Sequence, residues 1–428
     1  MDSPIRIIMN WRSAKGRIIK DITFFSMAQA FAGIIYFCYV IVSARLLGVA
    51  SFGLFQAVIG VYGIIFLFGH PLNLVTIHAV ATAEESLQPF VLGSFLRIAI
   101  IIGGACLIFF IAISPHLAKI LHTGSNLPFI SMAFLLLTNT ILTTFYGGLQ
   151  GRTQYLFFSI SVTSQSLIVL LIGVMLIKMG FGASGAVTGY TGSAALLVAF
   201  FFTRRKLFNF RRGIYSIRRQ LIPLAKPMAV MGTVLFVMNF PAVVARMRLT
   251  EDMAGLFGTL FSMRNLVLPF TFAVVLPLYS HTISQKHQTR MVGKAVVYIF
   301  LLGSVFILIG ILCPTWFFRT FYGGSFVDAS NYMTLYGLAL LSHMLSMVFL
   351  FDYAAKETFS FIPLLFPVFS ILSLLFIPDL SINKIILIHI LSWCLFLCCL
   401  LVIKLPLLSR RLTEAKSLGG RNDEHYEA

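Results

Sequence analysis

Apolar residues along this chain come in long unbroken runs, separated by short polar or basic stretches. A run of about twenty residues is what a helix needs to cross a bilayer core about 30 Å thick at about 1.5 Å per residue. The runs predict twelve helices, over 22–44, 53–80, 89–113, 128–149, 154–178, 182–203, 221–245, 253–283, 291–318, 331–354, 358–378 and 382–405. The strands of a membrane barrel would instead alternate apolar and polar over about ten residues. Spans 53–80 and 253–283 contain Pro71, Pro269 and Pro277, so they are expected to kink or break. The first run is too long for a cleavable signal peptide and follows a polar, basic stretch.

Composition agrees. Apolar residues make up 59% of the 428 and charged residues 11%, far from the balance of a soluble chain. The fold class is therefore an all-α polytopic membrane protein. The net charge of +18 lies mostly between the apolar runs, which points to orientation in a membrane and away from nucleic acid. With the N-terminus placed in the cytoplasm, and Lys or Arg within four residues of a span end counted with the adjoining loop, 22 of the 32 fall on the cytoplasmic side, 7 on the other and 3 deeper within spans. That bias puts both termini inside. The expected organisation is a basic N-terminus (1–21), six spans (22–203), a basic cytoplasmic linker (204–220), six further spans (221–405) and a cytoplasmic tail (406–428). The six cysteines lie in or beside apolar runs, without the spacing of a metal site.

The two sets of six spans carry matching signals. Ala44-Arg45-Leu46-Leu47-Gly48 followed by Gly53-Leu54-Phe55 is matched by Ala245-Arg246-Met247-Arg248 followed by Gly255-Leu256-Phe257. Pro115 follows the third span and Pro314 the ninth, and His78 and His281 each lie beyond a proline of a long second span. An even number of spans per repeat gives both halves the same direction, related by an axis along the membrane normal.

These stretches, with Ser51-Phe52 before Gly53, resemble the polysaccharide-transporter branch of the multidrug/oligosaccharidyl-lipid/polysaccharide exporter superfamily, the O-antigen-type flippases. Gly147-Gly148-Leu149-Gln150-Gly151-Arg152, Gly180-Phe181-Gly182-Ala183-Ser184-Gly185-Ala186, and the segment from Leu312-Cys313-Pro314 to Phe321-Tyr322-Gly323 also fit. The second half departs at Arg248-Leu249-Thr250, where a glycine is expected. The resemblance implies a V-shaped pair of six-helix bundles around a central cavity, working by alternating access in a bacterial inner membrane. It also implies a polysaccharide polymerase and chain-length proteins as partners, besides the lipids.

Enzyme chemistry is not expected. Gly182, Gly185, Gly189 and Gly192 lack the strand and the Lys-Ser/Thr ending of a phosphate loop and read as close helix packing. Glu84-Glu85 reads as a solvated loop pair. No cofactor or metal is implied.

The candidate site residues are cations within or at the ends of spans. A charge at mid-membrane costs several kcal/mol, so it usually faces a cavity or a partner. Arg264 lies nearest the midplane, with Arg97 closer to the cytoplasmic side. Lys226 either faces the same cavity or snorkels to the surface. Arg45 and Arg246, at equivalent repeat positions, either line an outer mouth or anchor at the headgroups. Carboxylates are missing from span centres; the nearest, Asp352, has Lys356 four residues on as a pairing partner. His70 is expected to cap a broken helix. Cations without matching acids favour an anionic cargo, and Arg suits phosphate. The expected function is translocation of a polyprenyl-pyrophosphate-linked oligosaccharide. The alternatives are a multidrug exporter, which generally needs an intramembrane carboxylate, and a non-transporting scaffold of an assembly complex.

Overall fold

The computed structural model describes residues 4–66, 69–204, 208–209, 217–284, 289–354 and 362–419, and leaves undescribed the side chains in parts of several helices. Every described regular element is a helix. In order they are α1 (Pro4–Ile65), α2 (Gly69–Thr82), α3 (Gln88–Ile120), α4 (Leu127–Gly151), α5 (Tyr155–Leu176), α6 (Gly182–Thr203), α7 (Ile217–Arg248), α8 (Glu251–Ser284), α9 (Thr289–Leu312), α10 (Pro314–Phe321), α11 (Met333–Ala354), α12 (Ile362–Leu372) and α13 (Ile382–Gly419).

Seven described stretches are long and apolar enough to cross a membrane: Met27–Ile65, Gln88–Ile120, Leu127–Gly151, Tyr155–Thr203, Val292–Leu312, Gly324–Tyr353 and Ile382–Leu400. Two of them hold two predicted spans each. Met27–Ile65 is divided by a kink at Gly48, whose φ of +73° favours a residue without Cβ. Tyr155–Thr203 is divided by a single π-helical turn at Ile177–Phe181, in which Gly180 also takes a positive φ. Large side chains such as Ile101, Ile108, Leu171 and Leu308 point outward on these helices. Such a surface suits lipid and not water, and the chain is a multi-pass membrane protein.

Prolines behave unequally. α1 ends at Ile65 and α2 opens at Gly69, two residues before Pro71, as expected for a divided second span. α8 runs unbroken from Glu251 to Ser284, through Pro269 and Pro277, whose side chains lie outside the described ones. Packed neighbours and local adjustments re-satisfy the freed carbonyls of such helices. Pro115 shows how: α3 continues past it, and the Ser114 hydroxyl donates at 2.8 Å to the Ile111 carbonyl that lost its usual donor. Its counterpart Pro314 instead starts a separate helix, α10. α1 and α13 extend well beyond the predicted spans into basic sequence, where Lys and Arg are good helix formers.

α2 to α6 pack mainly on the first set of helices, before Arg204, and α9 to α13 mainly on the second, after Ile217, while α1, α7 and α8 pack most heavily across the divide, α1 against α7 and α8, with α2 also against α7. Glycine permits the closest approaches. A Cβ on Gly53 of α1 would fall 2.7 Å from the Gly255 nitrogen of α8. These are the two glycines matched in the repeat, so the same position of each half forms the seam. Within the first set, a Cβ on Gly189 of α6 would fall 2.6 Å from Gly173 Cα of α5, the packing expected for the glycine run.

Candidate functional site

Arg264 stands thirteen residues into α8, about 20 Å from its start. It is 8% exposed. Nη1 donates to the Met238 carbonyl and Nη2 to Asn239 Oδ1, each at 2.8 Å. The guanidinium lies over the Phe261 ring at 3.6 Å, a cation–π contact from its own helix. Both hydrogen-bond partners are neutral groups of α7, so the positive charge meets no carboxylate among the described residues. Nε has no partner.

Asn239 is held in turn. It donates to the Leu235 carbonyl at 2.6 Å, and its amide abuts Gly63 of α1, where an added Cβ would fall 2.4 Å from Oδ1. One chain of contacts thus runs from the first set of helices through Asn239 to Arg264.

Arg264 lines a cavity whose other walls include Phe257, Tyr336, His343 and His389. His343 of α11 is buried and neither ring nitrogen has a partner; Nδ1 of His389 on α13 also has none. The two imidazoles stack with centroids 6.0 Å apart, and His343 meets Trp393 edge-on at 4.5 Å. Sequence reasoning missed both histidines, although an ionisable group ten residues into α11 or seven into α13 is as deep as a candidate cation.

Tyr190 of α6 lies within electrostatic range of Arg264. It belongs to an aromatic group in the first set: it stacks on Tyr36 at 5.9 Å and meets Tyr39 edge-on at 5.4 Å. Asn139 donates to the Tyr62 hydroxyl, and Tyr146 donates to Gln165 at 3.0 Å.

The structure places the remaining candidate cations elsewhere. Arg97 on α3 is half-buried, with Nη2 enclosed and unpartnered, and does not line the Arg264 cavity. The side chains of Lys226, His70 and His281 lie outside the described ones, as do most of the 204–220 linker and Lys356. Asp352 is buried near the end of α11.

Arg45 and Arg246 form a reciprocal pair. Arg45, in the first set, donates from Nε to the Phe321 carbonyl at 2.9 Å and from Nη2 to the Thr320 carbonyl, both in the second set. Arg246, in the second set, donates from Nε to Leu121 O at 3.1 Å and from Nη2 to His122 O at 3.3 Å, both in the first set. These carbonyls lie six and seven residues past the matched prolines Pro115 and Pro314. Arg246 is buried and also ion-paired with Glu251 at 2.7 Å. Each half therefore grips the equivalent turn of the other at the end of the bundle that carries Gly48.

No family model matches the chain, and no curated protein matches it. Solved structures do. A eukaryotic MATE transporter, AtDTX14, matches with a TM-score of 0.66 at 13% identity, over 91% of this chain and 96% of that one. An inward-facing multidrug resistance MATE family transporter of the MOP superfamily matches with 0.67 at 13% identity, over 88% and 96%. The lipid II flippase MurJ in an inward closed conformation matches with 0.67 at 16% identity, over 88% and 86%. The fold is that of the MATE transporters and MurJ. By their names these three are transporters or a flippase, and at 13–16% identity the likeness extends to the fold, which is the one the sequence resemblance implied.

Proposed function

We propose that the protein is a flippase that carries a polyprenyl-pyrophosphate-linked oligosaccharide across a bacterial cytoplasmic membrane, for assembly of a surface polysaccharide. The observation that carries this reading is Arg264: a buried guanidinium lining a cavity, bonded only to neutral groups. An uncompensated cation at depth draws an anion, and its planar donors suit phosphate. Arg97, outside that cavity and nearer the cytoplasmic side, would meet the same charge at another stage of its crossing. The half-buried Tyr36, Tyr62 and Tyr190, with the amide of Asn139 nearby, offer the flat faces and hydrogen-bonding groups on which sugars dock.

The charge bias of the loops sets the orientation, with both termini and the 204–220 linker cytoplasmic. The arginine clamp then closes the outer end, and twelve spans in two six-helix bundles alternate access around the cavity. MurJ supports the lipid-linked cargo by its name, and the MATE neighbours keep a drug exporter as the second reading. The exporter reading is weakened because no carboxylate is among the described residues lining the cavity, where a cationic drug would need one.

Deleting the gene and measuring polyprenyl-pyrophosphate glycans by mass spectrometry separates the two. A flippase leaves the completed lipid-linked unit accumulating and surface glycan missing. Unchanged glycan lipids together with greater drug sensitivity would select the exporter.

A further inference from the structure

Five enclosed nitrogens without partners gather in one place: Arg264 Nε, both ring nitrogens of His343, His389 Nδ1 and Trp393 Nε1. Arg264, His343 and His389 line the same cavity, and Trp393 backs His343. A buried polar atom without a partner costs about 1–3 kcal/mol, so five such atoms together favour a polar guest at this place. Arginine and tryptophan nitrogens only donate, and a protonated imidazole adds two more donors, so on protonation the set is mostly donors and suits an acceptor.

We propose that this cavity is a proton-linked oxyanion site: an oxyanion of the phosphate or sulfate type binds between Arg264, His343 and His389, and the imidazole pair takes up a proton from water as it enters. The balance is simple. Arg264 offsets one negative charge. A second negative charge on the anion is offset by one proton, which adds to an unpartnered ring nitrogen and is lost again when the anion leaves. No bond other than N–H forms or breaks.

Among the described residues, the ionisable groups facing the pair are few. α8 contributes Arg264, α11 Tyr336 and α13 His389 itself, while α7 offers the Asn239 amide and the Met238 carbonyl. Lys294 and Tyr298 of α9 are exposed, and Asp352 lies nine residues beyond His343, about 13 Å along α11. With the fixed charge of Arg264 alongside, a second cation in the cavity needs an anion beside it, so proton and anion bind as a unit. This couples the site to a proton gradient without a carboxylate among the described residues that line the cavity. It rests on reading Arg264 as an anion site, and it specifies the partners and the coupling ion of that site.

The test uses purified protein in lipid nanodiscs with side-chain ¹⁵N-labelled histidine, the resonances assigned by His343→Gln and His389→Gln. Sulfate is the first probe, because its charge stays constant from about pH 5.5 to about pH 8, the window of imidazole titration. Farnesyl diphosphate is the second, as an isoprenoid-borne diphosphate. The expected result is that sulfate moves the His343 or His389 ring toward its protonated form. Its affinity should rise toward acid pH by up to about tenfold per unit, the limit for one linked proton. His343→Gln/His389→Gln should flatten that dependence, and Arg264→Gln should abolish binding. A response to farnesyl diphosphate alone keeps the proposal and restricts the site to lipid-borne diphosphate. Histidine resonances unmoved by either probe, or sulfate affinity equal at both ends of the pH range, overturns it. Because no glycan enters this test, its failure leaves the cargo assignment to the deletion experiment, and the reverse holds too.

Discussion

At the scale of single residues the account turns on Arg264. Its two bonded donors fix the plane of the guanidinium, and the charge is left for the cavity. Arg264→Ala should lower surface glycan strongly at unchanged protein level. Arg264→Lys should recover part of it, keeping charge but not planar geometry. Both are read by glycan staining against an immunoblot of membranes. Gly63 offers a subtler handle. A Cβ there collides with Asn239 Oδ1, so Gly63→Ala should shift Asn239 and disturb Arg264 through it. The expected loss is several-fold and smaller than that of Arg264→Ala. A Gly63→Ala protein with unaltered glycan display would show that Asn239 does not position the guanidinium. The depth of Arg264 was legible from its place in an apolar run. Its partners were not, because Met238 and Asn239 come from another helix whose rotation the pattern does not give. His343 and His389 carried the same depth signal but were passed over in favour of histidines beside prolines.

At the scale of elements, helices and their packing glycines were readable while their joints were not. The glycine run in α6 predicts close packing, and Gly189 meets Gly173 of α5 backbone to backbone. Gly189→Leu should therefore force α5 and α6 apart, at a cost of at least about 1–3 kcal/mol. A thermal unfolding curve in detergent would show a lower midpoint; an unchanged midpoint would mean that the two helices do not pack as described. Kinks or breaks are expected at the prolines of both long second spans, and the chain divides only near Pro71. Pro71 lies at the start of α2, whereas α8 absorbs Pro269 and Pro277. Whether a freed carbonyl finds a new donor is decided by neighbours, as Ser114 does for Ile111, and a single helix's sequence does not reveal them.

At the scale of the whole molecule, two sets of helices meet along a seam that the repeat foreshadowed. Gly53 faces Gly255, and Arg45 and Arg246 exchange grips on equivalent turns. The sequence singled out both arginines, but only the folded chain shows that each reaches across to the other half. Arg45→Ala combined with Arg246→Ala should free that end of the bundle. Spin labels placed on the turns after α3 and α10 should then report a longer distance population than in the parent, with each single variant intermediate. An unchanged distance distribution would show that the clamp does not hold the halves together. Orientation is tested separately: a single cysteine at position 212, in a background without the native six, should resist labelling from outside intact cells. The central claim, that a buried arginine without a matching acid carries an anionic lipid-linked cargo, is tested most directly in liposomes. Purified protein should move a polyprenyl-pyrophosphate oligosaccharide from one leaflet to the other, read by its accessibility to an added glycosidase, and Arg264→Glu should abolish that movement by repelling the phosphate. A stably reconstituted Arg264→Glu protein that moves the lipid at the parental rate would contradict the account.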